Sequence, residues 1–163
     1  MNTTAVYAGT FDPVTLGHMD LIERSAEIFE HLVLAVAVDT TKKTLFSIDE
    51  RVEMISHVTA GMENVEVDRF EGLLVSYVRA SRARVMIRGL RAYSDFEYEF
   101  QMALTNRKLD PEIETLFMMP KEIHSYVSSS TVREVARLGG DTAEFVPEYV
   151  QECLARKFNH PGR

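Results

Sequence analysis

The chain has 163 residues, of which 45% are hydrophobic, and a formal net charge of −7. This length fits one domain of about 100–200 residues, and the composition is that of a globular protein rather than a disordered one. The acidic balance argues against nucleic acid and anionic membranes as partners. The longest purely apolar run, residues 32–38, is far shorter than the ~20 residues that a membrane span needs.

Short β-rich runs alternate with segments of helical periodicity along the chain. Residues 32–38 are apolar at every position, as expected for a strand of a parallel sheet that is covered by helices on both faces. Such alternation predicts an α/β fold with a five-stranded parallel sheet and helices on both faces. The five strands are predicted in chain order at residues 4–9, 31–39, 64–70, 85–90 and 114–120.

Capping and turn signals mark the helices between these strands. Ser47 with Glu50 forms the pattern of a capping box and starts a predicted helix that runs to about residue 61. The same pattern at Ser94 and Glu97 predicts a helix that ends near residue 109, and Pro147 is expected at the first position of the last helix. Further helices are predicted at residues 17–29, 73–82 and 131–138.

The N-terminal sequence and the cysteine content suit the cytosol. "MNTTAVY" contains no basic stretch followed by an apolar one, so we expect no secretory signal. Cys153 is the only cysteine, which excludes an internal disulfide and suits a reducing compartment. We therefore expect a cytoplasmic protein in which residues 1–158 form a single domain and residues 159–163 form a frayed tail.

The loop after the first strand, "GTFDPVTLGH", has features of an anion site. Gly9 lets a ligand approach the main chain, and Asp12-Pro13 is a turn signal. Gly17 and His18 fall at the start of a helix, where exposed N–H groups and the helix dipole attract anions. His18 could also donate a hydrogen bond to a phosphate oxygen.

Two further motifs follow predicted strands, where parallel sheets bind ligands. The turn "YVSSSTVREV" (residues 126–135) would offer serine hydroxyls and helix N-terminal amides to a phosphate. In "IRGLRAYSDFEYEFQ" (residues 87–101), two arginines flank Gly89, and guanidinium groups bind phosphates in a forked geometry. The alternative is that Arg88 and Arg91 are surface residues paired with Asp95 and Glu97.

The "GTFDPVTLGH" loop carries the T/H-x-G-H pattern of the nucleotidyltransferase superfamily, which also includes class I aminoacyl-tRNA synthetases. Together with the lysines after the second strand, "RGLRAYSDFEYE", "SSSTVREVA" and "FVPE", it resembles the phosphopantetheine adenylyltransferase family of bacterial coenzyme A biosynthesis over nearly the whole chain. The resemblance implies a Rossmann-like nucleotidyltransferase domain that transfers AMP from ATP to 4′-phosphopantetheine, giving dephospho-coenzyme A and pyrophosphate. It also implies Mg²⁺ bound mainly through the ATP phosphates, a homohexamer, and feedback by coenzyme A.

The same resemblance implies roles for individual residues. Catalytic roles would fall to Thr10, His18, Lys42 and Arg91, and the acceptor would be contacted by Thr10, Lys42, Leu74 and Arg88. His124 stands where some members carry a tryptophan, which leaves its side-chain role open. The ATP-binding residues would be Thr10, Phe11, His18, Gly89, Leu90, Arg91, Glu99, His124, Ser125, Tyr126, Val127, Ser128, Ser129 and Ser130.

Two alternatives remain at this stage. One is an adenylyl- or cytidylyltransferase of the same superfamily with another phosphorylated acceptor, and the other is a nucleotide sensor without catalytic activity. All of these readings require one spatial arrangement: His18, Arg91 and Ser129 must lie around a common cavity.

Overall fold

The computed structural model describes residues 3–38, 43–91 and 93–159, and it confirms the predicted parallel sheet. The strands are β1 (Thr4–Gly9), β2 (His31–Ala37), β3 (Val65–Phe70), β4 (Val85–Gly89) and β5 (Glu114–Met118). The helices are α1 (Leu16–Ile28), α2 (Ile48–Val58), α3 (Leu74–Ala80), α4 (Tyr93–Leu109), α5 (Ser129–Arg137) and α6 (Glu148–Lys157), with a 3-10 turn at Glu122–His124.

The strand order is β3-β2-β1-β4-β5, and all neighbouring strands are parallel. The chain runs outward from β1 to β3 and then returns to place β4 on the other side of β1. The order therefore reverses between β1 and β4, and the carboxyl ends of these two strands flank the crevice where open α/β sheets bind ligands.

Both faces of the sheet are buried along β1 and β2, where alternate residues point to opposite sides and meet apolar side chains on each. On one face, Tyr7 and Leu34 belong to the larger apolar core, which includes buried residues of α1, α2, α5 and α6. On the other face, Val6 and Ala35 pack in a second core with buried residues of α3. Helices on both faces are thus confirmed.

Two of the residues predicted to mark a helix start occupy other positions in the structure. Helix α4 begins at Tyr93, so Ser94 lies inside the helix and the second capping box is wrong. A Ser-x-x-Glu pattern permits a helix start but does not forbid an earlier one. Pro147 is the N-cap of α6 rather than its first residue, because the fixed φ of proline is compatible with either position.

Parts of the predictions concern residues outside the described ranges. The predicted second strand extended to Asp39, whereas β2 ends at Ala37 and residue 39 is not described. The same holds for Lys42 and for residues 160–163 of the expected tail. Within the described ranges, no helix has the length and apolar character required to cross a membrane.

Candidate active site

A cavity of about 460 Å³ lies at the carboxyl ends of β1 and β4. His18, Arg91 and Ser129 all line it, so the loops after β1, β4 and β5 meet at one hollow. Its volume lies in the range of small-molecule sites, about 300–1,000 Å³. The predicted site residues along its wall are Thr10, Phe11, His18, Arg88, Gly89, Arg91, Glu99, Val127, Ser128, Ser129 and Ser130.

His18 is held at the start of α1 by a capping box with Thr15. The Thr15 backbone N–H donates to Nδ1 of His18 at 3.0 Å, and the His18 amide donates to Thr15 Oγ1 at 3.3 Å. Since a backbone N–H can only donate, Nδ1 must be the unprotonated ring nitrogen of a neutral imidazole. The proton therefore lies on Nε2, which makes Nε2–H the donor available to a ligand.

The surroundings of His18 keep its ring neutral. Burial, followed by the positive charge of Arg91, lowers the pKa of His18 to about 4. The ring also packs edge-on against Phe11, with centroids 5.0 Å apart, and Phe11 packs edge-on against Tyr7. At neutral pH His18 is thus an oriented hydrogen-bond donor without a charge.

The helix start next to His18 offers fewer free amides than the sequence suggested. The Leu16 N–H donates to Phe145 O at 2.8 Å, and the His18 N–H is used in the capping box. Two of the first three backbone amides of α1 are thus already hydrogen-bonded, one to the distant residue Phe145 and one to the capping residue Thr15. Sequence patterns do not reveal such tertiary partners, so the anion-binding capacity of this helix end was overestimated.

Arg88 forms a bidentate ion pair with Glu99 of α4. Its Nε donates to Glu99 Oε2 at 2.8 Å, its Nη2 donates to Oε1, and its Nη1 donates to Ala8 O at 2.9 Å. Burial opposes the charged form, but the hydrogen bonds and charge of Glu99 raise the pKa of Arg88 above its ordinary value. The guanidinium is therefore a fixed cation, and Glu99 contributes to the cavity by orienting it.

Arg91 is more exposed than Arg88 and pairs with Asp95. Its Nε lies 3.2 Å from Asp95 Oδ2, and 43% of its side chain is exposed. Asp95 and Glu99 are four residues apart and share one face of α4, which explains why Glu99, rather than the anticipated Glu97, meets Arg88. Both arginines are thus paired with carboxylates, as in the alternative interpretation, but Arg88 pairs with Glu99 instead of Glu97. Both still line the cavity.

The hydroxyl groups of Ser128 and Ser129 in the serine-rich turn form hydrogen bonds within the protein. Ser128 is the N-cap of α5 and accepts from the Thr131 N–H at 3.1 Å. The Ser129 hydroxyl donates to Pro13 O at 2.8 Å, which ties this turn to the loop after β1. Because the Ser129 proton is engaged with Pro13 O, that hydroxyl is not free to donate to a ligand at the same time.

A second, smaller cavity of about 110 Å³ adjoins the first. Leu74, one of the four predicted acceptor contacts, lines it together with Met102 and Tyr98. Arg88 and Glu99 line both cavities and so stand between them.

Several predicted residues do not lie on the wall of the main cavity, and one is not described. Leu90 donates its N–H to Met118 O, and Tyr126 has 70% of its surface exposed. His124 and Ser125 close the 3-10 turn, where the Ser125 hydroxyl donates to Glu122 O. Lys42 falls outside the described ranges, while its neighbour Lys43 lines the cavity.

Three charged residues are among the polar residues at or beside the site that were not predicted. Arg133 lines the cavity four residues after Ser129, so helical spacing could have placed the two on one face. Asp12 had been interpreted only as a turn residue, yet it is buried and lines the cavity. Arg51 is 3% exposed and donates to Thr10 O at 2.7 Å; a single arginine in a helix pattern gives no signal of such a role.

The described carboxylates at the cavity do not form a metal site of their own. Glu99 is committed to Arg88, Asp95 pairs with Arg91, and both oxygens of Asp12 accept backbone N–H bonds. In the described ranges, no group of three or more His, Cys, Asp and Glu side chains is placed to hold a metal ion. A protein cage for Mg²⁺ therefore does not fit these residues.

Two curated relatives match almost the whole chain. The phosphopantetheine adenylyltransferase of Caldanaerobacter subterraneus subsp. tengcongensis is 53% identical over 154 residues, which cover 94% of this chain and 96% of the relative. That of Carboxydothermus hydrogenoformans is 52% identical over 158 residues, which cover 97% of this chain and 98% of the relative.

The fold has more distant relatives among solved structures. The nicotinic acid mononucleotide adenylyltransferase of Plasmodium falciparum, solved in complex with NaAD, superposes with a TM-score of 0.71 at 12% identity, covering 98% of this chain and 97% of that one. Such low identity establishes the fold alone. The family described as cytidylyltransferase-like matches residues 6–135. The chain is therefore a member of the cytidylyltransferase-like family and, within it, belongs to the phosphopantetheine adenylyltransferases.

Proposed function

We propose that this enzyme transfers the adenylyl group of ATP to the phosphate of 4′-phosphopantetheine, releasing pyrophosphate and forming dephospho-coenzyme A. The observation that carries the proposal is the meeting of His18, Arg91 and Ser129 at one cavity, each from a different loop of the sheet edge. Among the described residues of its wall are four basic side chains, Lys43, Arg88, Arg91 and Arg133, on a protein whose net charge is −7. This local cation cluster suits a polyphosphate.

The two adjoining cavities suit the two substrates. The larger one, with its cations and helix amides, would hold ATP. The smaller one, with Leu74 and Met102 in its wall, would hold the pantetheine arm. Arg88 lines both cavities, so its guanidinium is placed to bind the acceptor phosphate where it faces the α-phosphate of ATP.

The reaction needs little acid–base chemistry from the protein. An oxygen of the acceptor phosphate bonds to the α-phosphorus as the bond from that phosphorus to the pyrophosphate oxygen breaks. The nucleophile is already an anion near neutral pH, since the second pKa of a phosphate monoester is about 6, so no general base is required. Catalysis then rests on alignment and on stabilising the charge of the equatorial oxygens and of the leaving pyrophosphate.

His18 has the form required for that task. Its Nδ1 is occupied by Thr15, which leaves Nε2–H to donate to an oxygen of the reacting α-phosphate. A neutral donor with a fixed ring orientation needs no proton exchange during the reaction and costs no reorganisation. Thr10 and Phe11 belong to the same loop and would complete the contacts around this phosphate.

Mg²⁺ enters this proposal as a partner of ATP. Because the carboxylates of the described wall are engaged, the ion would be held by phosphate oxygens and water, as Mg²⁺ often is. Bound in this way, it would neutralise charge on the leaving pyrophosphate.

Pyrophosphate release from ATP in the presence of 4′-phosphopantetheine tests the proposal. We expect release that depends on the acceptor, with dephospho-coenzyme A as the organic product. Turnover with nicotinate mononucleotide or another phosphorylated acceptor in its place would support the alternative transferase reading. ATP binding without turnover on any acceptor would support the sensor reading.

The assembly, location and regulation implied by the family are also proposals. Among the described side chains of helix α4, six large apolar ones are exposed, a feature that marks interaction surfaces and supports self-association as a homohexamer: Phe96, Tyr98, Phe100, Met102, Leu104 and Leu109. The single cysteine suits a cytoplasmic enzyme. Feedback by coenzyme A would be seen as inhibition competitive with 4′-phosphopantetheine, because the two molecules share the pantetheine arm.

A further inference from the structure

Asp12 connects the loop after β1 to the loop after β2. It is 3% exposed, and its two carboxylate oxygens accept the backbone N–H groups of Leu45 and Phe46 at 2.8 and 2.9 Å. Hydrogen bonds to a charged acceptor are among the stronger ones, and both fix one short stretch of main chain. Lys43 and Thr44, which directly precede Leu45, line the main cavity.

Asp12 also connects the loop after β1 to α5. Arg133 donates from Nη1 to the Asp12 backbone carbonyl, and the same nitrogen lies 3.4 Å from Asp12 Oδ2. The neighbouring bond from the Ser129 hydroxyl to Pro13 O adds a second tie between these segments. The loops after β1, β2 and β5 thus converge on a single buried carboxylate and its backbone.

Arg51 of α2 holds the same main chain from the other side. Its guanidinium donates to Thr10 O at 2.7 Å, to Ala37 O at 3.0 Å and to Phe46 O at 3.2 Å. Phe46 is therefore bound through its N–H by Asp12 and through its carbonyl by Arg51. The end of β2, the loop after it and the loop after β1 are held together by two buried charged side chains.

We propose that Asp12 is a positioning residue, which sets Lys43, Thr44 and Arg133 at the cavity by fixing their segments to the loop between β1 and α1, just before His18. This inference rests on the proposed adenylyl transfer, since it assigns Asp12 a part in that reaction. Asp12 acts through other groups, because both of its oxygens are engaged within the protein. A displacement of about 1 Å in positioned groups can cost about 10² in rate, so the effect should appear in turnover.

Asp12→Asn tests the inference at nearly constant volume. The amide oxygen of Asn can accept one of the two backbone N–H groups, while its NH₂ group faces the other donor and no negative charge remains near Arg133. We expect kcat to fall by roughly 10- to 100-fold, with the KM of each substrate changed less than fivefold. The backbone amides of Leu45 and Phe46 should also exchange faster with solvent.

Asp110→Asn is the matched control for lost stability. Asp110 is 4% exposed, pairs with Arg79 at 2.8 Å and accepts the Glu112 N–H at 3.1 Å. It precedes β5 and therefore lies at the amino ends of the parallel strands, whereas the cavity lies at their carboxyl ends. This variant loses the same kinds of interaction, so a similar loss of unfolding free energy is expected while kcat stays within about threefold. Equal losses of kcat in the two variants at equal stability would overturn the positioning role.

Amide exchange in the wild-type protein covers the case in which Asp12→Asn does not fold. The Leu45 and Phe46 amides should be protected to an extent comparable with the amides of β1, and free exchange at both would overturn the inference. These measurements do not depend on the reaction. A wild-type protein that releases no pyrophosphate but protects both amides would refute the proposed function while leaving the loop attachment established.

Discussion

The two ring nitrogens of His18 have separate tasks, and substitutions can distinguish them. Nδ1 accepts the Thr15 N–H at the start of α1, whereas Nε2–H is the donor proposed for the α-phosphate. Asparagine places its Oδ1 at the position of Nδ1, because both atoms are the third from Cα, and its amide nitrogen does not reach the position of Nε2. Glutamine has a nitrogen at about the position of Nε2, and its Oε1 can accept the Thr15 N–H as the usual Gln of a capping box does.

The expected magnitudes follow from these contacts. Loss of one preorganised donor to a transition-state oxygen costs about 10²–10³ in kcat, or about 2.7–4 kcal/mol. Loss of the cap interaction costs about 1 kcal/mol of stability. His18→Asn should therefore lose about 10²–10³ in kcat with nearly unchanged stability, and His18→Ala should lose a similar amount of kcat together with about 1 kcal/mol of unfolding free energy. His18→Gln should keep most of the stability, because Gln is a usual residue at this position of a capping box, and should lose less activity than His18→Asn.

A continuous pyrophosphate-release assay gives kcat for the three variants, and urea denaturation gives their unfolding free energies. ATP affinity should change much less than kcat, since the donor acts mainly in the transition state. A folded His18→Asn protein with near wild-type turnover would refute the catalytic assignment. Turnover that followed stability across the series, with His18→Asn as active as His18→Gln and both more active than His18→Ala, would assign His18 a purely structural role.

Three further predictions concern the Arg88–Glu99 pair, the titration of the His18 ring and the exposed apolar surface of α4. Glu99→Ala leaves the Arg88 guanidinium without its carboxylate and should lower the unfolding free energy, measured in urea, by about 3 kcal/mol. This value is at the lower end for a broken buried pair because Arg88 is partly exposed. A loss below about 1 kcal/mol would contradict a stabilising role of the pair. The His18 ring should titrate near pH 4 by NMR, because burial and then the charge of Arg91 disfavour the imidazolium, and a midpoint above pH 6 would contradict this. Only the unfolded chain takes up that proton between pH 6.5 and 4, so His18 makes the unfolding free energy decrease as the pH falls through this window. Phe100→Glu places a charge on the exposed apolar surface of α4 and should reduce the mass measured by light scattering from that of a hexamer; a wild-type protein that is already monomeric would argue against the proposed assembly.

Much of the site could be predicted because its motifs act locally. The Ser47–Glu50 box formed as predicted, since a capping box involves only residues three apart. Thr15 and His18 have the same spacing, with the imidazole in place of the usual Glu or Gln, so the box that fixes the His18 tautomer was also visible in principle. The choice between Glu97 and Glu99 as the partner of Arg88 likewise follows from helical spacing once Asp95 is paired.

The amino-acid sequence by itself determined the alternation of strands and helices, the parallel sheet, and the position of each motif just after a strand. These properties depend on apolar periodicity and turn chemistry within short segments. Tertiary structure alone decided the order β3-β2-β1-β4-β5, and with it which loops share a cavity. Tertiary structure also decided the burial of Asp12 and Arg51, whose partners are backbone amide and carbonyl groups distant in sequence. Because almost every residue carries such groups, the sequence does not indicate which of them a side chain will bind.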